Sequence, residues 1–530
     1  MTGETVAGAV RAVERDGGAP LPAFAWREVS AITAAAGVLY FARLDRYALG
    51  GDELYFIGAG HHPAVSYADQ GPAVPLLAAL ADDLAPGSAT VLRLPALLMT
   101  LLAVVLSALI ARELRGGRGP QAMAALAYAV TPAAVLQAAM LSTYALDATL
   151  TAGISWLFLR WVRTRELRRS RFRADHLLVL AGLLAALAVQ VKWLVPLVWA
   201  GIALGFALLG PREVFRRPGW WLGSAVLALS GLPAVLWQYA NGWPQLGMSA
   251  VIRAEQLATS PLVAMPWQAV LLTGPLGLLI LAGMWAGFRS ELVRPYRFLI
   301  PMVALGLVGV LGGGLRPYYM AAAFPGLLAA GAVYLAEVGL TRRVRTFGVA
   351  ITALATAICV SVVLVLPLPQ SQLRQPTDRY SQFDWRMRLF GPSGWERLIA
   401  GVDAAYRLVP AEQLPGLVLV TQNYWQAAAL DHYGPALGFP AVYSTNRGYA
   451  YFPPPPDTAT TILYVGIDRP QTTLGLEFAE AVELVRVDDR LGVPSVNRHV
   501  SVWKCRYPAR PWSQAWPGMR RLPLVDGTAR

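Results

Sequence analysis

The sequence is poor in charge. Asp, Glu, Lys and Arg make up only 15% of its 530 residues, against roughly 25% in soluble globular proteins. Hydrophobic residues make up 55%, and the mean hydropathy is +0.45. This balance excludes a disordered protein, a collagen, a coiled coil and an ordinary cytosolic enzyme. It predicts a multi-pass membrane protein, because only lipid favours so much apolar sequence with so few charges.

Lysine and cysteine are nearly absent. Two lysines, Lys192 and Lys504, stand among 45 basic residues, and the two cysteines are Cys359 and Cys505. A disulfide between the cysteines is not expected, because Cys359 lies in an apolar run and Cys505 in a polar region. A cleavable signal peptide is not expected either, because residues 1–27 lack a continuous apolar core.

Apolar runs long enough to cross a bilayer begin at eleven places. A spanning helix needs about 20 mostly apolar residues. The runs begin near Val29, Leu94, Gln121, Ser142, Leu177, Trp193, Trp220, Pro266, Phe298, Met320 and Phe347. The predicted fold class is therefore an all-α membrane module at residues 28–367 with about eleven transmembrane helices, preceded by a polar segment at residues 1–27.

The net charge of +13 comes from arginine clusters in every second connection between these runs. Basic connections of membrane proteins face the cytoplasm. The alternation therefore predicts a cytoplasmic N-terminus and, after eleven spans, a C-terminal region on the other side. Nucleic-acid binding is not predicted, because no basic face with interleaved aromatic residues is present. The clusters contain Arg112, Arg115 and Arg118; Arg160 to Arg173; Arg212, Arg216 and Arg217; Arg289, Arg294 and Arg297; and Arg342, Arg343 and Arg345.

Two regions are predicted to lie outside the cytoplasm. The first is a long connection at residues 49–92, which contains no Lys or Arg. The second is residues 368–530, which begin with a linker rich in proline and glutamine. A helical pattern at Tyr424–Tyr433 and several β-like runs predict a small extracytoplasmic α/β domain there. The β-like runs are 417–421, 461–465, 482–487 and 499–503.

Three acids are candidates for catalysis. Asp52 and Glu53 directly follow the first span, where a carboxylate at the membrane surface suits a general base for a hydroxyl group. Neighbouring helical residues point about 100° apart, so only one of the two is expected to face a given site. Asp147 lies near the outer end of the fourth span, where an acid usually faces a polar cavity. The structural alternatives are a helix cap or a solvated loop for the pair, and an interfacial cap for Asp147.

Cations on the same predicted face are candidates for binding phosphate. Lys192 ends the fifth span, and Arg316 precedes Tyr318 and Tyr319 after a run of glycines. A compact ammonium or a bidentate guanidinium suits a phosphate group. The alternatives are a lysine that reaches the membrane interface and tyrosines of an interfacial aromatic belt. The candidate substrate residues of the first outer loop are His61, His62, Tyr67, Asp69 and Gln70.

Several motifs resemble those of bacterial membrane glycosyltransferases of the GT-C superfamily. The first-loop segment is GDELYFIGAGHHPAVSYADQGPAVPLLAAL, and the other segments are RLPALL, LSTYALD, QVKW, WQYANGWP, GGGLRPYYMAAAFP and NYWQAAALDHYGPALG. The nearest likeness is to family 39-like proteins, the group of protein mannosyltransferases and lipid A aminoarabinose transferases. The resemblance extends over nearly the whole chain, and the ordered set of motifs is more specific than any one of them.

The resemblance implies the GT-C fold and an inverting transferase in the inner membrane of a bacterium. Such an enzyme takes a sugar from a polyprenyl-phosphate carrier at the outer membrane face and passes it to a hydroxyl of a protein, lipid or envelope glycan. Asp52 matches the acid that acts as base or orients the acceptor, Glu53 matches its neighbour, and Asp147 matches a second acid. Lys192 and Arg316 fall where contacts to the donor phosphate are expected, although many relatives have Lys in place of Arg316.

Two questions stay open at this stage. A divalent ion would bind through Asp52, Glu53 or His61 if the reaction uses one, but the resemblance does not decide this and no metal-binding spacing is visible. The alternative function is a transporter or flippase of lipid-linked sugars. That alternative predicts charged residues along a transmembrane path and repeat symmetry, whereas the acids here cluster on one predicted face.

Overall fold

The computed structural model describes most of the chain. The described residues are 20–165, 171–259, 264–312, 315–377, 380–391 and 394–524. Most of the predicted N-terminal segment, residues 1–19, lies outside the described residues, as do Arg168 and Arg169 of the second basic cluster.

The part of the chain up to Val365 is helical. In chain order its helices are α1 (Trp26–Phe41), α2 (Gly51–Gly60), α3 (Ala73–Leu84), α4 (Ala89–Glu113), α5 (Arg118–Ala129), α6 (Pro132–Ala138), α7 (Thr143–Thr164), α8 (Arg171–Val191), α9 (Val195–Leu208), α10 (Pro218–Ala240), α11 (Pro244–Thr259), α12 (Met265–Thr273), α13 (Gly277–Arg289), α14 (Ile300–Leu311), α15 (Phe324–Val338) and α16 (Arg342–Val365).

Each of the eleven predicted apolar runs coincides with helical structure. Among the described residues, seven segments are long and apolar enough to cross a membrane, and the pair α5 and α6, bent by 61°, forms an eighth. The seven contain α4, α8, α10, α12 with α13, α14, α15 and α16. The three remaining runs form α1, α7 and α9, of 16, 22 and 14 residues. The predicted multi-pass helical fold is confirmed.

The basic connections lie together at one end of the helix bundle. Ion pairs join the start of α1 to α5, the end of α4 to the end of α7, and the end of α7 to the connection after α9. The pairs are Arg118–Glu28, Arg163–Glu113 and Arg165–Glu213, at 2.7, 2.7 and 3.0 Å. The first loop, the start of α7 and the end of α8 lie at the opposite end. The basic connections, which alternate with the others along the sequence, therefore share one end of the bundle, and the first loop lies at the other end.

A buried ion pair anchors the first loop. The guanidinium of Arg93 in α4 donates to both carboxylate oxygens of Glu53 in α2, at 2.8 and 2.6 Å, and both side chains are fully buried. Glu53 also accepts from the backbone N–H groups of Gly50 and Leu141, at 2.9 and 3.0 Å. Arg93 also donates to three backbone carbonyls between α1 and α2, those of Leu44, Tyr47 and Ala48. Because both charges are paired and bonded, α2 has a fixed position on the bundle.

The C-terminal domain is an α/β unit. Its sheet has the order β2-β1-β3-β5-β4, with β1 parallel to β2 and β3, and β5 antiparallel to β3 and β4. The predicted sheet and the helix at Tyr424–Tyr433 are confirmed, whereas β2, α17, α18, α20 and α21 were not predicted. The elements are α17 (Tyr380–Phe390), α18 (Trp395–Arg407), β1 (Val418–Thr421), α19 (Tyr424–Tyr433), β2 (Val442–Ser444), β3 (Thr461–Gly466), α20 (Pro470–Leu474), β4 (Phe478–Val487), β5 (Val500–Pro508) and α21 (Trp512–Met519). Both cysteines, in α16 and β5, are buried free thiols.

The C-terminal domain lies directly on the first loop, because α19 packs against α2. Glycines make the close approach possible: a Cβ at Gly51 would overlap the indole of Trp425, and a Cβ at Gly448 would overlap the phenol of Tyr55. The indole of Trp395 adds a hydrogen bond to the carbonyl of Leu49, at 2.9 Å. The domain and the first loop therefore enclose a common space between them.

Loss of the buried ion pair should destabilise the protein strongly. We expect Glu53→Gln to lower the free energy of unfolding by about 3–5 kcal/mol, because it leaves the buried charge of Arg93 without its counter-charge. Glu28→Gln is the matched control: its ion pair with Arg118 is exposed and should contribute little. Unfolding of the detergent-solubilised variants in SDS measures both. Equal stability of the two variants would contradict the assignment of Glu53 as the anchor.

Filling the contact between α2 and α19 should also be costly. We expect Gly51→Ala to destabilise the protein by about 1–3 kcal/mol, because its methyl group has no room beside Trp425. Gly119→Ala in α5 is the control, since a Cβ there meets no atom within 4 Å. Melting temperatures of the two variants provide the comparison. A wild-type melting temperature for Gly51→Ala would show that the domain is not seated as described.

Candidate functional site

A cavity of about 510 Å³ lies at the end of the bundle opposite the basic connections. The first loop, the start of α7, the end of α8, α11, residues 315–319 and the C-terminal domain all contribute to its wall. Its charged groups are three acids and several cations, which come from distant parts of the chain. The polar lining residues include Asp52, Asp69, Lys192, Glu255, Arg316, Tyr424, Trp425 and Arg447.

Asp52 is held by the C-terminal domain. Its Oδ1 atom accepts hydrogen bonds from the hydroxyl of Tyr424 at 2.7 Å and from Nε1 of Trp425 at 2.9 Å. Burial, and next the charge of Asp52, raise the pKa of Tyr424 well above its ordinary value, so its hydroxyl remains a donor. Within the described residues, no hydrogen bond reaches Oδ2. One oxygen of the carboxylate is thus fixed, and the other is left for a group in the cavity.

Asp69 is a second acid in the same cavity. Its Oδ1 atom accepts a hydrogen bond from the hydroxyl of Tyr55 at 3.1 Å, and the ring of Tyr55 packs edge-on against Tyr424 at 5.5 Å. Burial raises the pKa of Asp69, partly offset by the positive charge of Arg447. The cavity therefore favours a protonated form of Asp69 more than water does.

Lys192 is a cation held by neutral partners. Its Nζ atom donates to Oγ1 of Thr143 at 3.1 Å and lies 4.3 and 4.9 Å from the ring centres of Tyr144 and Tyr319. The hydroxyls of Tyr144 and Tyr318 are 2.7 Å apart, which fixes the aromatic group around the ammonium. Among the described residues no carboxylate forms a salt bridge with Lys192. Its charge is therefore available to an anion in the cavity.

Two further cations share one carboxylate. Glu255 in α11 accepts from Nη2 of Arg316 at 3.0 Å through Oε2, and from Nη2 of Arg447 through Oε1. The Nη1 atom of Arg447 also donates to the hydroxyl of Tyr424 at 3.3 Å. Because Tyr424 bonds to Asp52, a continuous polar chain runs from Arg316 to Asp52.

The other two predicted catalytic acids lie away from the cavity. Both carboxylate oxygens of Glu53 are engaged by the ion pair with Arg93, so the adjacent acids Asp52 and Glu53 point to different neighbours. Asp147 is 5% exposed and lines a separate cavity of about 60 Å³. Tyr319 belongs to the walls of both cavities, so Asp147 lies beyond the aromatic group that surrounds Lys192.

The predicted substrate residues divide in the same way. Asp69 and Gln70 line the main cavity, whereas His61, His62 and Tyr67 do not. His61 lies 3.4 Å from Asp83, the ring of His62 stacks on Phe452, and the hydroxyl of Tyr67 donates to the carbonyl of Ala59 at 2.7 Å. Across the described residues, no three His, Cys, Asp or Glu side chains are grouped as they would be to hold a metal ion.

Sequence reasoning missed Glu255, Tyr424, Trp425 and Arg447 as site residues. For Tyr424 and Trp425 the sequence does contain a local signal, because both directly follow the helix cap Asn423 just after the end of β1. The Asn423 side chain accepts from the backbone N–H of Trp425 at 2.7 Å. Arg447 follows β2 in the same manner. Side chains just beyond the carboxyl ends of parallel strands are well placed to bind ligands. What the sequence does not indicate is that this edge of the sheet faces Asp52.

Residues 69–237, about a third of the chain, match the family profile described as dolichyl-phosphate-mannose-protein mannosyltransferase. That range contains the second half of the first loop, Asp147 and Lys192, and it ends before the C-terminal domain. No curated protein matches the chain significantly.

Solved structures match over most of the chain. ArnT from Cupriavidus metallidurans is 15% identical in its apo state and when bound to undecaprenyl phosphate, with TM-scores of 0.55 and 0.56; each match covers 90% of this chain and 97% or 98% of that protein. The archaeal oligosaccharyltransferase AglB from Archaeoglobus fulgidus, in complex with an inhibitory peptide and a dolichol-phosphate, is 12% identical with a TM-score of 0.50. That match covers 84% of this chain and 70% of AglB. The chain therefore has the same overall fold as these proteins, which is the fold that the resemblance to the GT-C superfamily predicts.

Proposed function

We propose that this protein is an inverting glycosyltransferase that moves a sugar from a polyprenyl-phosphate carrier to a hydroxyl acceptor. The observation that carries this proposal is the cavity itself, which presents one oxygen of Asp52 and the cations Lys192, Arg316 and Arg447 to the same space. The mannosyltransferase profile and the likeness to ArnT bound to undecaprenyl phosphate support the same reaction class.

The chemistry needs a base and a stabilised leaving group. The acceptor oxygen attacks the anomeric carbon from the face opposite the phosphate, its proton passes to Oδ2 of Asp52, and the bond from carbon to phosphate oxygen breaks. Because a lipid phosphate leaves as a stabilised anion, a carboxylic acid need not protonate it, unlike the leaving group in glycoside hydrolysis. Holding donor and acceptor together would supply about 7–11 kcal/mol of the barrier.

The other candidate catalytic and phosphate-binding residues also have places in this proposal. Lys192 binds the donor phosphate, because Thr143 and two aromatic rings are the only partners that the described part of the chain offers to its ammonium. Arg316 is a second phosphate ligand, and Tyr318 and Tyr319 keep the lysine in position. Glu53 acts through the placement of α2 and not by contact with substrate. Asp147 lies beyond Tyr319 in a separate cavity and therefore makes no direct contact with substrate in this proposal.

We place the cavity at the outer face of a bacterial inner membrane. The basic connections meet at the other end of the bundle, and positively charged connections remain in the cytoplasm. The N-terminus is then cytoplasmic, and the C-terminal domain is extracytoplasmic. The acceptor is consequently a protein, lipid or glycan of the cell envelope.

Replacement of Asp52 should abolish transfer without loss of the fold. We expect Asp52→Asn to lower the rate about 100- to 10,000-fold, because the amide still accepts from Tyr424 and Trp425 but cannot take the acceptor proton. Mass spectrometry of envelope glycans from a deletion strain identifies the product, and membranes of that strain with added variant protein give the rate.

Asp83→Asn is the matched control for this test, because Asp83 lies in the same loop but is exposed beside His61. Its rate should equal that of the wild type. Wild-type transfer by Asp52→Asn would disprove the role of Asp52. If the wild-type protein instead carried radiolabelled lipid-linked sugar across proteoliposomes without covalent transfer, the flippase alternative would replace the proposed reaction.

Membrane orientation provides a separate test. We expect single cysteines introduced at Asp83 and at Arg407 to react with an impermeant maleimide in intact spheroplasts, and a cysteine at Arg212 to react only after the membrane is opened. Cys359 and Cys505 are buried and should contribute no background. Labelling of the Asp83 and Arg212 positions from the same side would exclude the proposed topology.

A further inference from the structure

The carboxylate of Glu255 lies between two guanidinium groups that come from different parts of the fold. Arg316 belongs to the connection before α15, and Arg447 belongs to the C-terminal domain. Glu255 is largely buried, and its Oε1 atom also accepts from the backbone N–H of Leu524 at 3.3 Å. Three separate segments of the chain therefore converge on one anionic group in the wall of the cavity.

Arg447 is held in this place at a conformational cost. Its φ angle is +47°, a left-handed conformation that residues other than glycine adopt infrequently. The surrounding structure enforces it: the backbone N–H of Arg447 donates to the carbonyl of Arg521 at 2.8 Å, and Nε donates to the carbonyl of Leu522 at 3.2 Å. Backbone strain of this kind clusters at sites that bind or react.

We propose that Arg447 is a phosphate-binding residue supplied by the C-terminal domain, and that Glu255 holds Arg447 and Arg316 in place until the donor phosphate replaces its carboxylate. This inference rests on the proposed function and adds residues to it. A carboxylate and a phosphate accept the same paired hydrogen bonds from a guanidinium. The phosphate carries more charge and more acceptor oxygens, so it competes well for the same two arginines.

The exchange would link arrival of the donor to the position of the base. Arg447 donates through Nη1 to the hydroxyl of Tyr424, and that hydroxyl donates to Oδ1 of Asp52. A phosphate bound by Nη2 of Arg447 is thus two hydrogen-bonded residues away from the catalytic carboxylate. The C-terminal domain would contribute to both halves of the site, binding the leaving group through Arg447 and fixing Asp52 through Tyr424.

Binding of undecaprenyl phosphate to the full-length protein in detergent tests the proposal. Arg447→Gln should weaken binding about 10- to 100-fold, because a charge-assisted contact is lost. Glu255→Gln should tighten binding about tenfold, because the phosphate no longer has to displace a charged competitor. The double variant should not show this gain. Undecaprenol, which lacks the phosphate, should bind equally to all the variants.

Controls come from an exposed pair in the same domain. Arg407 and Asp403 form an ion pair of similar chemistry in α18, and neither residue lines the cavity, so Arg407→Gln and Asp403→Asn should bind like the wild type. If Arg447→Gln or Glu255→Gln has a lowered melting temperature, Arg447→Lys tests the role of Arg447 instead. This variant keeps the positive charge but loses the paired hydrogen-bond geometry of the guanidinium. It should weaken the binding of undecaprenyl phosphate but not that of undecaprenol.

The outcomes separate this inference from the proposed function. Wild-type affinity for undecaprenyl phosphate in Arg447→Gln or in a stable Arg447→Lys would overturn the assignment of Arg447 while leaving the transferase intact. Weakened binding in a stable Glu255→Gln would overturn the exchange and make Glu255 part of the phosphate site. If neither the wild-type protein nor Lys192→Met bound undecaprenyl phosphate, the proposed function and this inference would both be refuted.

Discussion

The contact between α19 and α2 is the constraint on which the site depends. Asp52 lies in the first turn of α2, and that turn is held in place because the neighbouring residue, Glu53, pairs with Arg93 in the bundle. From the other side, α19 brings Tyr424 and Trp425 within hydrogen-bond distance of a single carboxylate oxygen. Two adjacent acids thus divide the tasks of anchoring and chemistry, because a helix directs neighbouring side chains about 100° apart.

Charge in this protein is scarce and is concentrated where it acts. The basic connections pair with acids at one end of the bundle, whereas the cavity at the other end holds acids and cations from both the membrane module and the C-terminal domain. Lys192, one of only two lysines in the chain, has aromatic rings for neighbours. Such an environment keeps a compact positive charge partly desolvated and ready for an anion.

Much of the fold was predictable from local patterns. Apolar runs near Leu94 and Phe347 read directly as helices because a spanning segment must bury about 20 apolar residues, and strands such as β3 and β5 show as β-like runs. The cavity residues Asp52, Lys192 and Arg316 were recognisable as well, since each is a charge placed beside an apolar run. Glu53 looked equal to Asp52, because sequence spacing does not say which of two neighbours meets a buried arginine.

The sequence by itself determined the helical membrane module, the α/β character of the C-terminal region and the end of the bundle at which the candidate acids and cations gather. Only the tertiary structure decided that Tyr424, Trp425 and Arg447 share a cavity with Asp52, from which each is more than 370 residues away in the chain. The reason is physical: local patterns record which face of an element is apolar, whereas the seating of one domain on another depends on close fits such as Gly51 against Trp425.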